Sequence, residues 1–159
     1  MKLYTKPFGE INIDDKQKIS FDKGIFGFEN IKEYALLNAS QWPFFWLQAI
    51  EVPDLAFVLI EPMIFRPDYL PDVDSSDLAE LDLKADEKEK MLIFAIVTVP
   101  PDDPKKMTAN LQGPIIINKE LRKGRQLISL SKKWQVRHYI MDELSSKEVP
   151  DAGARTEDK

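Results

Sequence analysis

The 159-residue sequence has no cysteine, one histidine and six glycines, and those shortages remove whole classes of chemistry. Without cysteine there is no disulfide, no thiolate nucleophile, and no Cys-ligated zinc or iron–sulfur cluster. With His138 alone, a zinc site built on two or three histidines is impossible. A Ser-His-Asp triad would have to use that same ring, and no G-x-S-x-G turn supplies its serine. The glycines are scattered and spell neither G-x-G-x-x-G nor G-x-x-x-x-G-K-[ST], so the phosphate-cradling loops are missing too. Long hydrophobic runs are also absent. The longest, Leu55–Ile60 and Met91–Val97, fall far short of the roughly 20 residues a membrane helix needs. The opening residues, MKLYTKPFGE, lack the apolar core of a signal peptide. The expectation is a cytoplasmic binding protein, not an enzyme, with no metal, no organic cofactor and no membrane partner.

What is present suits a single domain. The chain is 43% hydrophobic and 31% charged, and one core is enough for a domain of about this length. Its net charge of −5 is unevenly placed. Residues 68–90 carry nine acids against three lysines, while residues 119–138 carry seven bases against Glu120. Each block is either a solvated face or a docking face: the acidic one for a basic partner, the basic one for nucleic acid or an acidic partner.

Most of the chain reads as strands. Glu10–Ile13, Lys18–Phe21, Glu33–Leu37 and Phe44–Ile50 have the short alternation of half-buried sheet. Ala56–Ile60 and Met91–Val99 are nearly continuous apolar runs, expected of central strands covered on both faces. Pro114–Asn118 and Arg125–Leu130 read as two more. Between the early strands, Gly24-Ile25-Phe26-Gly27-Phe28 reads as a tight turn whose aromatics pin it to the core. Asp77-Leu78-Ala79-Glu80 reads as the capped start of a short helix, with a weaker one near Glu87–Lys90. Residues 145–159, polar and containing Pro150 and Gly153, read as a disordered tail. The fold expected is all-β: a single antiparallel barrel-like domain over 1–144 with one or two short helices.

Few residues carry recognisable site chemistry. Asp72-x-Asp74-x-Ser76 starts like a calcium loop but puts Asp77 where glycine is needed and Leu83 where a bidentate glutamate belongs. No spacing marks Glu51 and Asp54 as a catalytic pair. Trp42, Phe44, Phe45 and Trp46 read as core with some exposed rim, and His138 as a surface or rim residue without a metal-binding neighbour. The segment after Ile60 is more informative. Pro62 and Pro67 limit strand pairing there, so Met63, Phe65 and Tyr69 are expected as anchors of a partner-binding patch, rimmed by Asp68, Asp72 and Asp74. The alternative is an edge strand with an inward-facing core side.

Several motifs together resemble the FliW family of flagellar assembly factors over residues 1–140. They are Phe8-Gly9, the turn Gly24-Ile25-Phe26-Gly27-Phe28-Glu29, Leu47-Gln48, Leu55-Ala56-Phe57, Pro62, Ile64-Phe65 and Asp68-Tyr69. The longest is Thr108-Ala109-Asn110-Leu111-Gln112-Gly113-Pro114-Ile115-Ile116-Ile117-Asn118. Physically these are turns and core strands, so Gly24, Phe26, Gly27, Phe28, Leu47, Gln48, Pro62, Asn110, Leu111, Gln112, Pro114 and Asn118 are expected in structural roles. The resemblance implies a regulator, monomeric when free, that binds flagellin and the translational regulator CsrA. Flagellin would hold it until export, after which it would antagonise CsrA away from the RNA site. Two other classes stay open: a small-ligand barrel of the flavin-binding kind, and direct RNA binding through residues 119–138.

Overall fold

The structure, a computed structural model, describes residues 1–148. In chain order the elements are β1 (Lys2–Thr5), β2 (Gly9–Asn12), β3 (Lys18–Ser20), β4 (Glu33–Asn38), β5 (Phe44–Ala49), β6 (Ala56–Ile60) and α1 (Ser75–Ala79). They continue with β7 (Met91–Thr98), β8 (Thr108–Ala109), β9 (Ile115–Asn118), β10 (Lys123–Gln126), β11 (His138–Tyr139) and α2 (Ile140–Glu148). Seven strands run side by side in the order β7-β6-β5-β4-β3-β10-β9, and β9 pairs back onto β7, closing a barrel. Closure removes the open sheet edges that invite aggregation. All its pairings are antiparallel except β3 with β10, a parallel contact resting on the single pair Ser20 and Lys123. Strands β8 and β11 extend the sheet beyond β7, and β1–β2 form a separate hairpin.

The continuous apolar runs are explained by burial on both faces. Ile19, Phe21, Tyr34, Leu47, Leu59, Phe94, Ile115 and Ile117 fill the barrel interior. On the outside, Ile60, Ala95 and Val97 meet Phe65, Tyr69, Trp134 and Ile140, while Ile116 and Met91 meet Leu78, Leu81, Leu83 and Leu127. A strand alternates its side chains between faces, so two covered faces require apolar residues at every position. The hairpin packs through Leu3 and Ile13 on Ala35 and Leu37. Gln48, fully buried, ties it down: its Oε1 accepts the Lys6 N–H at 2.9 Å, and its Nε2 lies 2.9–3.1 Å from the carbonyls of Ala49, Pro53 and Leu55.

The all-β barrel is as read from the sequence, with several local differences. Strand β1 went unread, because a four-residue stretch with Lys2 and Thr5 in it lacks a clear alternation. Strand β10 lies at Lys123–Gln126 and not at Arg125–Leu130. Beyond it Leu127 and Ser129 still donate to the Pro114 and Gln112 carbonyls in the same register, and Leu130 turns away to the Asp72 carbonyl. The cap of α1 is Asp74, accepting from the Ser76 N–H at 2.9 Å, three residues before the expected Asp77. Helix α2 was not expected and takes in residues 145–148 of the expected tail. The rest of that tail lies outside the described residues. In the glycine turn it is Ile25 that is buried; Phe28 still pins the turn by meeting the Phe57 ring edge-on, while Phe26 is half exposed and does not.

Candidate functional site

The segment expected to bind partners begins where Pro62, buried at the first position of a 3-10 turn over Pro62–Ile64, stops β6 from continuing. That turn swings Phe65 and, one turn later, Tyr69 inward. Both are core residues, 0% and 3% exposed, so the expectation of two aromatic partner anchors is corrected. The inward pull is apolar burial against Ala95, Val97 and Leu111, and the Tyr69 hydroxyl donates to the Leu111 carbonyl at 2.8 Å. Burial raises that phenol above its ordinary range. Met63 alone of the three expected anchors is exposed.

Around them sits a clamp that the sequence did not announce. The Arg66 guanidinium grips Asp68 with two bonds of 3.0 Å, reaches Glu143 Oε1 at 2.9 Å, and lies 4.7 Å from the centre of the Trp134 ring. Lys133 Nζ adds a 2.7 Å contact to Asp68 and also faces the indole. The Arg66 fork, then Lys133, hold the Asp68 carboxyl well below the usual carboxylate range. Trp134 is buried; its Nε1 donates to the Leu70 carbonyl at 2.8 Å and its ring meets Tyr69 edge-on at 4.8 Å. The one histidine joins the same cluster. Its Nε2 accepts the Gln135 N–H at 2.9 Å, so the ring hydrogen sits on Nδ1 and is donated to Glu143 Oε2 at 2.8 Å. The sole hint was an indole inside the basic run 132–137.

The two charge blocks meet. Asp68 pairs with Lys133, Asp82 with Lys123, and Asp77 and Glu80 both with Arg125. Four of the nine acids and three of the seven bases are thus matched across the two blocks. Asp72 and Asp74 remain exposed and form no ion pair among the described residues. Beneath them opens a cleft of about 500 Å³ whose apolar floor includes Val73, Met91, Ile93 and Ile116. Leu70 and Leu130 stand out beside it, 57% and 63% exposed, and the Asp72 carbonyl accepts the Leu130 N–H at 2.7 Å. Its charged lining is mixed, Asp68 and Asp72 with Lys88 and Lys133, so the arrangement can bury apolar side chains of another protein beside charges of both signs. Among the described residues no cluster of three or more His, Asp or Glu side chains is placed to hold a metal ion, and no helix is long and apolar enough to cross a membrane.

The remaining motif residues take structural positions. Leu47, Leu111 and Pro114 are buried. Asn110 Oδ1 accepts from the N–H groups of Gln112 and Gly113, and the Gln112 carbonyl accepts from Ser129. Asn118 donates to the Leu81 carbonyl at 2.8 Å and accepts from Glu120 and Leu121. Gly24 and Gly27 have φ of +67° and +90°, as their turn requires.

Comparison with known proteins gives one answer. A family model described as FliW protein matches residues 2–140. The flagellar assembly factor FliW of Treponema denticola is 42% identical over 146 residues, covering 92% of this chain and 97% of that protein. Its namesake from Leptospira biflexa is 44% identical over 151 residues, covering 92% and 97%. Among solved structures, a crystal structure of the flagellar assembly factor FliW superimposes with a TM-score of 0.80 at 36% identity, covering 88% of this chain and 96% of that one.

Proposed function

This chain belongs to the FliW family, and on that premise we propose that it is a non-enzymatic flagellar assembly factor of the cytoplasm that works by binding proteins. It binds flagellin and, when free of it, binds and antagonises CsrA, so that flagellin synthesis follows flagellin export. The observation that carries the reading is the match along the whole barrel, from residue 2 to residue 140. The apolar cleft supports it, because exposed Leu70 and Leu130 offer area to desolvate while Asp72 and, on the adjoining loop, Asp74 offer charge to steer a basic partner. With Phe65 and Tyr69 in the core, the docking residues on this segment are Met63, Leu70, Asp72 and Asp74, joined by Leu130. Asp68, held between Arg66 and Lys133, shapes the loop instead.

The other two readings find less support. Side chains of Phe21, Tyr34, Leu47 and Phe94 fill the barrel interior that a flavin-type ligand would need. Lys123, Arg125 and Lys133, three of the bases an RNA would use, face carboxylates instead. Isothermal titration of the full chain with purified flagellin and with purified CsrA tests the proposal. Saturable binding of both, with CsrA displaced by flagellin, is expected. Absence of heat with either partner overturns it.

A further inference from the structure

A second cleft, of about 640 Å³, gathers three of the motif segments that otherwise look purely structural. Phe26 comes from the glycine turn, Phe57 from β6, and Thr108 and Asn110 from the long motif; Ile96, Val136 and Tyr139 complete its apolar wall. Phe26 is half exposed, yet its backbone is fixed on both sides. Its N–H donates to Gln126 Oε1 at 3.0 Å, Gln126 Nε2 donates to the Gly113 carbonyl at 3.0 Å, and Ile25 bridges to Phe28. Phe28 in turn meets the Phe57 ring edge-on at 5.4 Å. The backbone beneath this exposed ring is already ordered, so covering it costs little further backbone entropy.

The charge around the cleft has one sign. Lys106 and Arg137 line it, no carboxylate does, and neither cation makes an ion pair among the described residues. In a chain of net charge −5, where Lys123, Arg125 and Lys133 of the same basic block as Arg137 face carboxylates, this is a local reversal. We infer that the cleft docks a segment of a partner protein that presents carboxylates beside apolar side chains. An arginine fork and a lysine give a carboxylate two kinds of grip, and the Phe26–Tyr139 wall takes the apolar residues. Single-stranded RNA fits less well, because two cations are few for a phosphate backbone. Phe26 and Tyr139 can nevertheless stack bases, so RNA is one arm of the test.

The test uses the intact chain and a phage-displayed library of random 12-residue peptides, read independently of flagellin and CsrA. Peptides carrying aspartate or glutamate beside leucine, phenylalanine or tryptophan should be enriched. Synthetic copies of them should bind at least tenfold more weakly to Phe26→Ala and to a Lys106→Glu/Arg137→Glu double variant. The charge variant disturbs no packed side chain, so it stands even where Phe26→Ala loosens the turn. Enriched peptides without acidic residues, or ones that bind both variants as tightly, overturn the inference. So does a fluorescein-labelled 12-nucleotide RNA whose binding needs Lys106 and Arg137, or a dimer of this chain, seen by sedimentation, that Phe26→Ala dissolves. None of these outcomes alters the flagellin and CsrA titrations, so the two proposals fail separately.

Discussion

Phe65 and Met63 stand two residues apart in one short turn, yet only one of them belongs to the core. Removing a fully buried phenylalanine ring costs about 3–5 kcal/mol in other cores, and Phe65 is wholly covered. Phe65→Ala should therefore lower unfolding free energy in urea by that amount, whereas Met63→Ala should change it by under about 1 kcal/mol. Tyr34 gives a second residue-scale expectation. Its ring is buried in the barrel, its hydroxyl has no hydrogen-bond partner, and burial pushes the phenol up to about 12. Below pH 10 the group is neutral in both folded and unfolded chains. Between pH 10 and 12 only the unfolded chain ionises, so stability is lost as pH rises through that window. Tyr34→Phe removes the orphaned hydroxyl without creating a cavity. The variant should be at least as stable at pH 7, and its stability should fall less steeply from pH 10 to 12 in a series of denaturant melts.

At the scale of elements, the glycine turn separates two demands that look alike in the sequence. Gly24 and Gly27 both sit at positive φ, but a Cβ on Gly24 would lie 2.6 Å from the Glu29 Cα, while one on Gly27 would meet nothing within 4 Å. Gly27→Ala should cost about 1–2 kcal/mol, the backbone penalty alone. Gly24→Ala forces backbone to move and should cost clearly more, about 3 kcal/mol or above, in the same thermal melts. The turn, like β6 and β7, was legible because its signal is local: spaced glycines, or an apolar run of the right length. What stayed hidden depended on distant partners. The pattern of Phe65 and Tyr69 fits an exposed patch as well as a core, and only the arrival of Trp134 and Leu111 from far along the chain decides between them. Asp74 caps the helix because α1 begins at Ser75, so Asp77 lies inside it and its side chain instead faces Arg125, 48 residues away. The motif residues of the second cleft were legible as turns and strands, but their convergence follows from barrel closure.

Over the whole molecule, the separation of acidic and basic blocks along the chain becomes their juxtaposition in space, and this sets what charge remains for partners. Exposed pairs such as Asp82–Lys123 and Asp68–Lys133 are worth at most about 1 kcal/mol each. Their larger effect is to cancel field near the barrel, leaving Asp72 and Asp74 as unpaired exposed acids on the loop beside the first cleft. Charge of that kind acts on the rate of encounter rather than on the lifetime of a complex. The residues allow a clean test. Asp72 has φ of +49°, a conformation asparagine also tolerates, and Asp74 caps α1 through a side-chain oxygen that asparagine keeps. An Asp72→Asn/Asp74→Asn variant thus deletes two charges while preserving backbone and cap, and its melting temperature should stay close to the parent's. In stopped-flow mixing with CsrA at about 10 mM salt, where the Debye length is about 30 Å, its association rate should fall several-fold. At about 1 M salt, where that length is about 3 Å, the two proteins should associate equally fast, with dissociation rates alike throughout. If the low-salt association rate is unchanged, the acidic rim is a solvated loop, and the steering of a basic partner by Asp72 and Asp74 is wrong.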